Sequence, residues 1–221
     1  METILEIACG NWTSCLFAKN YGANRIELLE NLSEGGCTPS FGMIKKSMEL
    51  ELPIYVMIRP RGGNFNYSDD EFEIMRSDIE ICKHLGVHGI VFGILDEQKN
   101  VDTNRCRELL ELWNGPATFH RAFDETPNPY KAVEDIINLG FERILTSGQQ
   151  PSIDLGMDLV KELISKYGHQ INFLPGCGVN PNNGSKIINI TGAKEIHATC
   201  KIDGEDGYGH SDPEQIKELR N

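Results

Sequence analysis

Glu6, Glu27, Arg59 with Arg61, His120 with Arg121 and Asp124, Thr146 with Ser147, and His197 share a position: each ends, or nearly ends, a short apolar run. A charge in such a run is costly unless a partner compensates it. Alternation along an extended strand puts Met57 and Arg59 on one face, as it does Thr118 with His120 and Glu195 with His197. Glu6, Glu27, Arg59 and His120 are therefore expected in one hydrogen-bonded cluster. There His120 can act as general acid or base near neutral pH, with Glu6 or Glu27 as partner. These three and Asp124 are the candidate catalytic residues. The same groups could instead pair as ions that plug one end of the fold.

The loop Arg59-Pro60-Arg61-Gly62-Gly63-Asn64-Phe65-Asn66-Tyr67 suits anion capture. Arginine grips carboxylate or phosphate with two donors, and adjacent glycine lets backbone approach a ligand. A turn stabilised by arginine pairing is its structural alternative. Pro175-Gly176-Cys177-Gly178-Val179-Asn180 precedes a short helix, where backbone amides favour anions, and Thr146-Ser147-Gly148 could add donors. The anion-binding candidates are Arg59, Arg61, Arg121, Ser147, Gly148, Gly176, Gly178 and His197. His84, His88 and His169 fall at helix ends or in loops and receive no role.

Of seven cysteines, Cys15, Cys82 and Cys106 fall within expected helices and read as packing residues. Cys9, Cys37, Cys177 and Cys200 follow strands one, two, seven and eight. Soft thiolates in proximity suit a Cu(I)-type ion. The acidic stretch Asp203 to Gly207 departs from the calcium-loop pattern and reads as a solvated turn.

Short apolar runs alternate with amphipathic segments along the chain, the pattern of parallel strands joined by helices. Strands are expected at Thr3–Ala8, Arg25–Leu29, Ile54–Ile58, Gly89–Phe92, Ala117–Phe123, Glu142–Leu145, Ile171–Leu174 and Glu195–Ala198. The second helix should open at Thr38-Pro39-Ser40 with proline one position inside, and the third at Ser68 through a capping box. Later helices are expected near Asp102, Pro129, Ile153–Tyr167, Asn182–Ile190 and Pro213–Leu219. The phrases NYGANRIEL, KHLGVHGIVFG, NLGFERILTSG and NITGAKEIHAT repeat one joint, a helix closed by glycine before the next strand. Eight such units imply an α/β fold, a single (β/α)8 barrel of the TIM type with its site at the strands' carboxyl ends. An open doubly wound sheet is the other topology of this pattern.

The 221 residues suit one domain over 1–221, with no linker dividing them. A net charge of -12 opposes nucleic acid and anionic membrane surfaces. METILEIACG opens as a strand rather than a signal peptide, and no run of about 18 apolar residues is long enough to span a bilayer. Scattered cysteines without a secretion signal read as reduced thiols in the cytoplasm.

The stretches RIEL, EGGCTPS, VMIRPRGGNFNYSDDEFEIM, VFGILD, VDTNR, TFHRAFD, RILTSG, PGCGV and EIHAT closely resemble the CutC family, named for copper homeostasis. The resemblance runs from the first strand to the eighth. It implies a cytosolic, usually homo-oligomeric barrel associated with copper binding, without a settled reaction. Glu6, Glu27, Arg59, Arg61, His120, Arg121, Asp124 and His197 match its motifs and are carried over as site residues. Leu29 stands where the family usually has cysteine, and Ala8 where many members do, so Cys9 and Cys37 remain the nearby candidates for copper. Two functions follow: a cytosolic copper-handling protein, or a barrel enzyme acting on a small anionic substrate, phosphorylated or not. A scaffold that only supports assembly is a third.

Overall fold

Strands form where β-branched and aromatic residues cluster, and glycine closes the helices between them. The computed structural model describes residues 3–202 and 209–220. The barrel strands are β1 (Ile4–Cys9), β2 (Arg25–Leu28), β3 (Ile54–Met57), β4 (Gly89–Phe92), β5 (Ala117–Phe119), β6 (Arg143–Thr146), β7 (Asn172–Pro175) and β8 (Glu195–Ala198). Helices α1 (Trp12–Asn20), α2 (Phe41–Ser47), α3 (Asp69–Leu85), α4 (Thr103–Trp113), α5 (Pro129–Leu139), α6 (Ile153–Tyr167) and α7 (Gly184–Thr191) connect them, and α8 (Pro213–Arg220) follows a small hairpin, β9 (Lys201–Ile202) and β10 (His210–Ser211). The acidic stretch at 203–207 lies outside the described residues.

The eight strands pair in parallel in the order β7-β6-β5-β4-β3-β2-β1-β8. Gly176, leaving β7, packs on His197 of β8, so the sheet curls round until its two edge strands meet. This is the expected (β/α)8 barrel, not an open sheet. Gly86, Gly140 and Gly192 cap α3, α5 and α7 at φ of 70°, 93° and 74°, the left-handed conformation that glycine adopts without a steric penalty.

Two faces of the strands bury different chemistry. Leu5, Ile7, Cys9, Ile26 and Leu28 belong to the core between strands and helices. Ala8, Leu29, Tyr55, Met57 and Val91 form a separate, smaller apolar cluster. Gly89 at the start of β4 is required for space, because a Cβ there would overlap the Tyr55 ring.

Two local expectations change. Ser40 caps α2 by accepting from the Met43 amide, so Pro39 precedes the cap rather than following it. β5 ends at Phe119 instead of Phe123. The His120 ring accepts from the Ala122 amide and turns the chain into a short 3₁₀ segment, Arg121–Glu125.

Gly156 on α6 faces the end of β6, where a Cβ would overlap the Ser147 carbonyl oxygen. In an open helix, Gly→Ala stabilises by about 1 kcal/mol. Here overpacking outweighs that gain, and Gly156→Ala should destabilise by about 1–3 kcal/mol in urea denaturation. Unchanged or higher stability would show that α6 can move away from the site.

Candidate functional site

Register decides which charges meet. Glu6 on β1 pairs with Arg25 of β2 on one side and His197 of β8 on the other. Arg25 donates from Nε to Glu6 Oε2, and from Nη2 to Glu195 Oε2 at 2.6 Å. The other Glu6 oxygen lies 2.7 Å from His197 Nδ1. Arg25 and Arg143 both stack on the Tyr55 ring, at 5.2 and 4.8 Å from its centre. All these groups are buried, and all except the Tyr55 phenol are acidic or basic side chains.

Glu27 joins this cluster by one edge only. Its Oε2 is 3.6 Å from His197 Nε2, and its Oε1, shielded from solvent, has no hydrogen-bond partner. An unpaired buried polar atom costs about 1–3 kcal/mol. The two carboxyls consequently separate. Burial would raise Glu6, but Arg25 and His197 hold it well below the usual carboxylate range. Burial wins at Glu27 and raises it to about 7, despite the opposing pull of His197. His197 is raised, because Glu27 and Glu6 together outweigh the effect of burial.

Above Glu27 opens a cavity of about 650 Å³, lined on other sides by Arg59, Phe65, His120, Arg121 and Cys177. This size suits a small organic ligand. His120 packs against Phe65 with ring centres 4.8 Å apart. Its Nδ1 is taken by the Ala122 amide, and its buried Nε2 is unpartnered. Burial, then Arg59, pushes it down to about 3, so it is a neutral imidazole with its proton on Nε2.

The expected single cluster is thus two groups. Glu6, Glu27 and His197 meet, while Arg59 and His120 face the same cavity without a hydrogen bond to them. Arg59 holds loops together, donating to the carbonyls of Glu34 (2.7 Å), Gly36 (2.8 Å) and Gly63 (2.8 Å). Arg61 pairs with Glu71 and with Asn64 and Asn66, pinning its loop to α3.

The strand-six anion cradle exists, and Asp124 fills it. The Asp124 carboxylate accepts from the amides of Ser147 (3.0 Å) and Gln149 (3.1 Å) and from the Thr146 and Ser147 hydroxyls. Arg121 pairs with the same carboxylate. The Gly148 amide bonds Thr146 Oγ1 and the Gly176 amide bonds the Thr146 carbonyl. Of the three glycines Gly148, Gly176 and Gly178, only Gly178 lines the cavity, beside Cys177.

The thiols separate as well. All seven are free. Cys9 lies in the core outside the barrel beside Cys15 of α1, its thiol donating to the Ile7 carbonyl at 3.6 Å. Cys37 pairs through its backbone with Glu30 and is half-buried. Neither lines the cavity, whereas Ala8 and Leu29 do.

One ligand atom each of Glu6, Glu27 and His197 lies within 4.8 Å of the others, as metal ligands would. Glu6 is already committed to Arg25, whose charge opposes a cation, and oxygen donors suit Cu(I) poorly. Arg25 and Arg143 were not singled out in the sequence, and Glu195 was named there only as sharing a face with His197. Arg25 and Glu195 each stand two residues before a chosen residue, so strand alternation alone could have found them.

Residues 3–202 match the CutC family. The chain belongs to that family. A CutC family protein from Parabacteroides distasonis is 45% identical over 91% of this chain and 84% of its own length. A human relative named copper homeostasis protein cutC homolog is 41% identical over 92% of the chain and 76% of its own. The crystal structure of CutC from Streptococcus agalactiae superposes with a TM-score of 0.85 and 35% identity, covering 89% of this chain and 98% of that one. Phosphoribosylanthranilate isomerase from Pyrococcus furiosus, with a TM-score of 0.64 and 12% identity over 99% and 97% of the two chains, shares the fold.

The cluster's pH response has a definite sign. Glu27 is raised above its ordinary 4.5 to about 7, so the folded state holds its proton between those values and loses stability as pH rises through them. A raised His197 adds loss in the same direction at higher pH. Glu27→Gln should match the parent near pH 5 and be more stable than it near pH 8, by thermal denaturation. An identical stability difference at both pH values would show that Glu27 carries no buried charge.

Proposed function

We propose that this CutC-family chain serves copper homeostasis in the cytoplasm, with copper as its cargo. Membership of a family whose human member carries that name, at 41% identity, is the observation that supports this reading. Free thiols suit a reducing compartment, and the net charge of -12 argues against nucleic acid as a partner. Among the described residues no helix is long and apolar enough to cross a membrane. We further take the chain as one domain over 1–221 that assembles with copies of itself, for which Phe41, Ile74 and Leu155 offer exposed apolar surface.

Cu(I) prefers thiolates. Cys9 and Cys15, in contact behind β1, fit it better than Cys9 with Cys37, and better than the carboxylate–imidazole group in the barrel. Both thiols are fully buried, so loading would require α1 to open locally from β1.

Anaerobic Cu(I) titration against a chromophoric chelator tests this. The parent should compete for one equivalent. Cys9→Ser/Cys15→Ser should lose affinity by on the order of 100-fold, and Cys37→Ser should keep it. A parent that does not compete rejects the copper reading; a double variant that binds unchanged rejects this thiol pair.

A further inference from the structure

We propose that the barrel mouth is also a catalytic site, where Glu27 takes a proton from the carbon beside the carbonyl of an uncharged, sugar-sized hydroxy-carbonyl compound and His120 donates to that carbonyl oxygen. Among the described residues, five buried side-chain atoms lack a hydrogen-bond partner: Glu27 Oε1, Arg59 Nε, Tyr67 Oη, His120 Nε2 and Arg143 Nε. Glu27 and His120 belong to opposite kinds, an acceptor without a donor and a donor without an acceptor, and both residues line one cavity. Both atoms are shielded from water, so a rotation of each side chain brings them to the cavity, where a carbonyl with an acidic C–H beside it completes both.

The same walls define the substrate's charge. Asp124 already fills the amide cradle of β6, and the terminal nitrogens of Arg59 bond to loop carbonyls. The cradle after β6 is thereby closed to a phosphate dianion. Glu34 and Glu125 face the cavity along with Arg59 and Arg121, a balance of signs that favours a neutral, hydroxylated molecule. Phe65, Leu29 and Met57 offer apolar surface to its C–H faces. About 650 Å³ holds a compound of sugar size.

The step balances without a metal or redox partner. Glu27 Oε1 forms an O–H bond with the α-hydrogen, and the broken C–H pair becomes the new C=C bond. The carbonyl pair moves to oxygen, which receives the His120 Nε2 proton; the neighbouring hydroxyl returns a proton to Nε2. Glu27 then protonates the former carbonyl carbon, and the carbonyl has moved by one carbon. A neutral imidazole is the form that can donate here, and the nearby Arg59 charge favours the developing oxyanion. Glu6 and His197 are positioning residues: ionised Glu6 holds His197, whose Nε2 sits 3.6 Å from Glu27 Oε2. The groups facing Glu27 are His197 on β8, Glu6 on β1, Arg25 on its own strand and Tyr55 on β3.

The test is proton exchange in D2O with EDTA present, read by NMR. Probes are glyceraldehyde, dihydroxyacetone, xylose, xylulose, glucose and fructose, with dihydroxyacetone phosphate as the charged comparison. The α-hydrogen of at least one uncharged probe should exchange on the order of 100-fold faster than in buffer. The rate should rise with pH and level off above about 7, where Glu27 is ionised. Folded Glu27→Gln should fall to the buffer rate, and Glu27→Asp should retain part of the exchange with a displaced pH midpoint. The proposal is overturned by no exchange with any uncharged probe, by exchange confined to the phosphate, or by an unchanged rate in Glu27→Gln. Removing copper beforehand with a Cu(I)-selective chelator makes either result independent of copper binding.

Discussion

Everything at the barrel mouth follows from one guanidinium placed in the barrel interior. Arg25 joins Glu6 of β1 to Glu195 of β8 and lies on the face of Tyr55 from β3. A buried ion pair of this kind does little for net stability: exchanging the whole set for apolar residues is often neutral, while removing one partner costs about 3–5 kcal/mol. Its importance is positional. By keeping Glu6 ionised, Arg25 fixes which edge of His197 faces inward. Glu27, one step higher on the same strand as Arg25, is left as a second buried carboxyl without a cation of its own. Two chemically identical side chains thereby acquire opposite proton affinities.

The loops that surround the cavity are tied by their own arginines. Arg59 binds carbonyls from the loop after β2 and from its own loop, and Arg61 anchors that loop to the start of α3 through Glu71. These are charge-assisted contacts, stronger than neutral ones, and they tie the loops around the mouth. The thiol chemistry lies on the opposite side of β1. Cys9 and Glu6 are separated by three positions, an odd number, so pleating sends them to different faces. The proposed copper pair and the proposed mouth chemistry therefore share no side chain.

Much of this was legible in the sequence because it depends on local rules. The glycine after α3, α5 and α7 and the capping box at Ser68 follow from backbone sterics and unsatisfied amides, and each is where the sequence placed it. The polar strand ends Glu6, Glu27 and His197 were legible from the cost of burying charge. Pairing across the barrel was not, because strand register, not residue spacing, brings Glu6 between Arg25 and His197. The early end of β5 and the inward turn of Asp124 were hidden for a similar reason: the amides that receive Asp124 come from β6, some 23 residues away. Cysteines counted as neighbours by strand order proved to depend on which face of the strand they occupy.

Asp124 has one more consequence. Barrels of this architecture commonly hold a ligand by a distant handle, which leaves the reacting end free to be optimised separately. Here the chain's own carboxylate fills one place where such a handle could sit, the cradle after β6. On the proposed reaction, a guest would be gripped in part by the groups that transform it, so retention and turnover would be set by some of the same atoms. Selection acting on one necessarily alters the other. The mouth is thus suited to a compound that is abundant and loosely held.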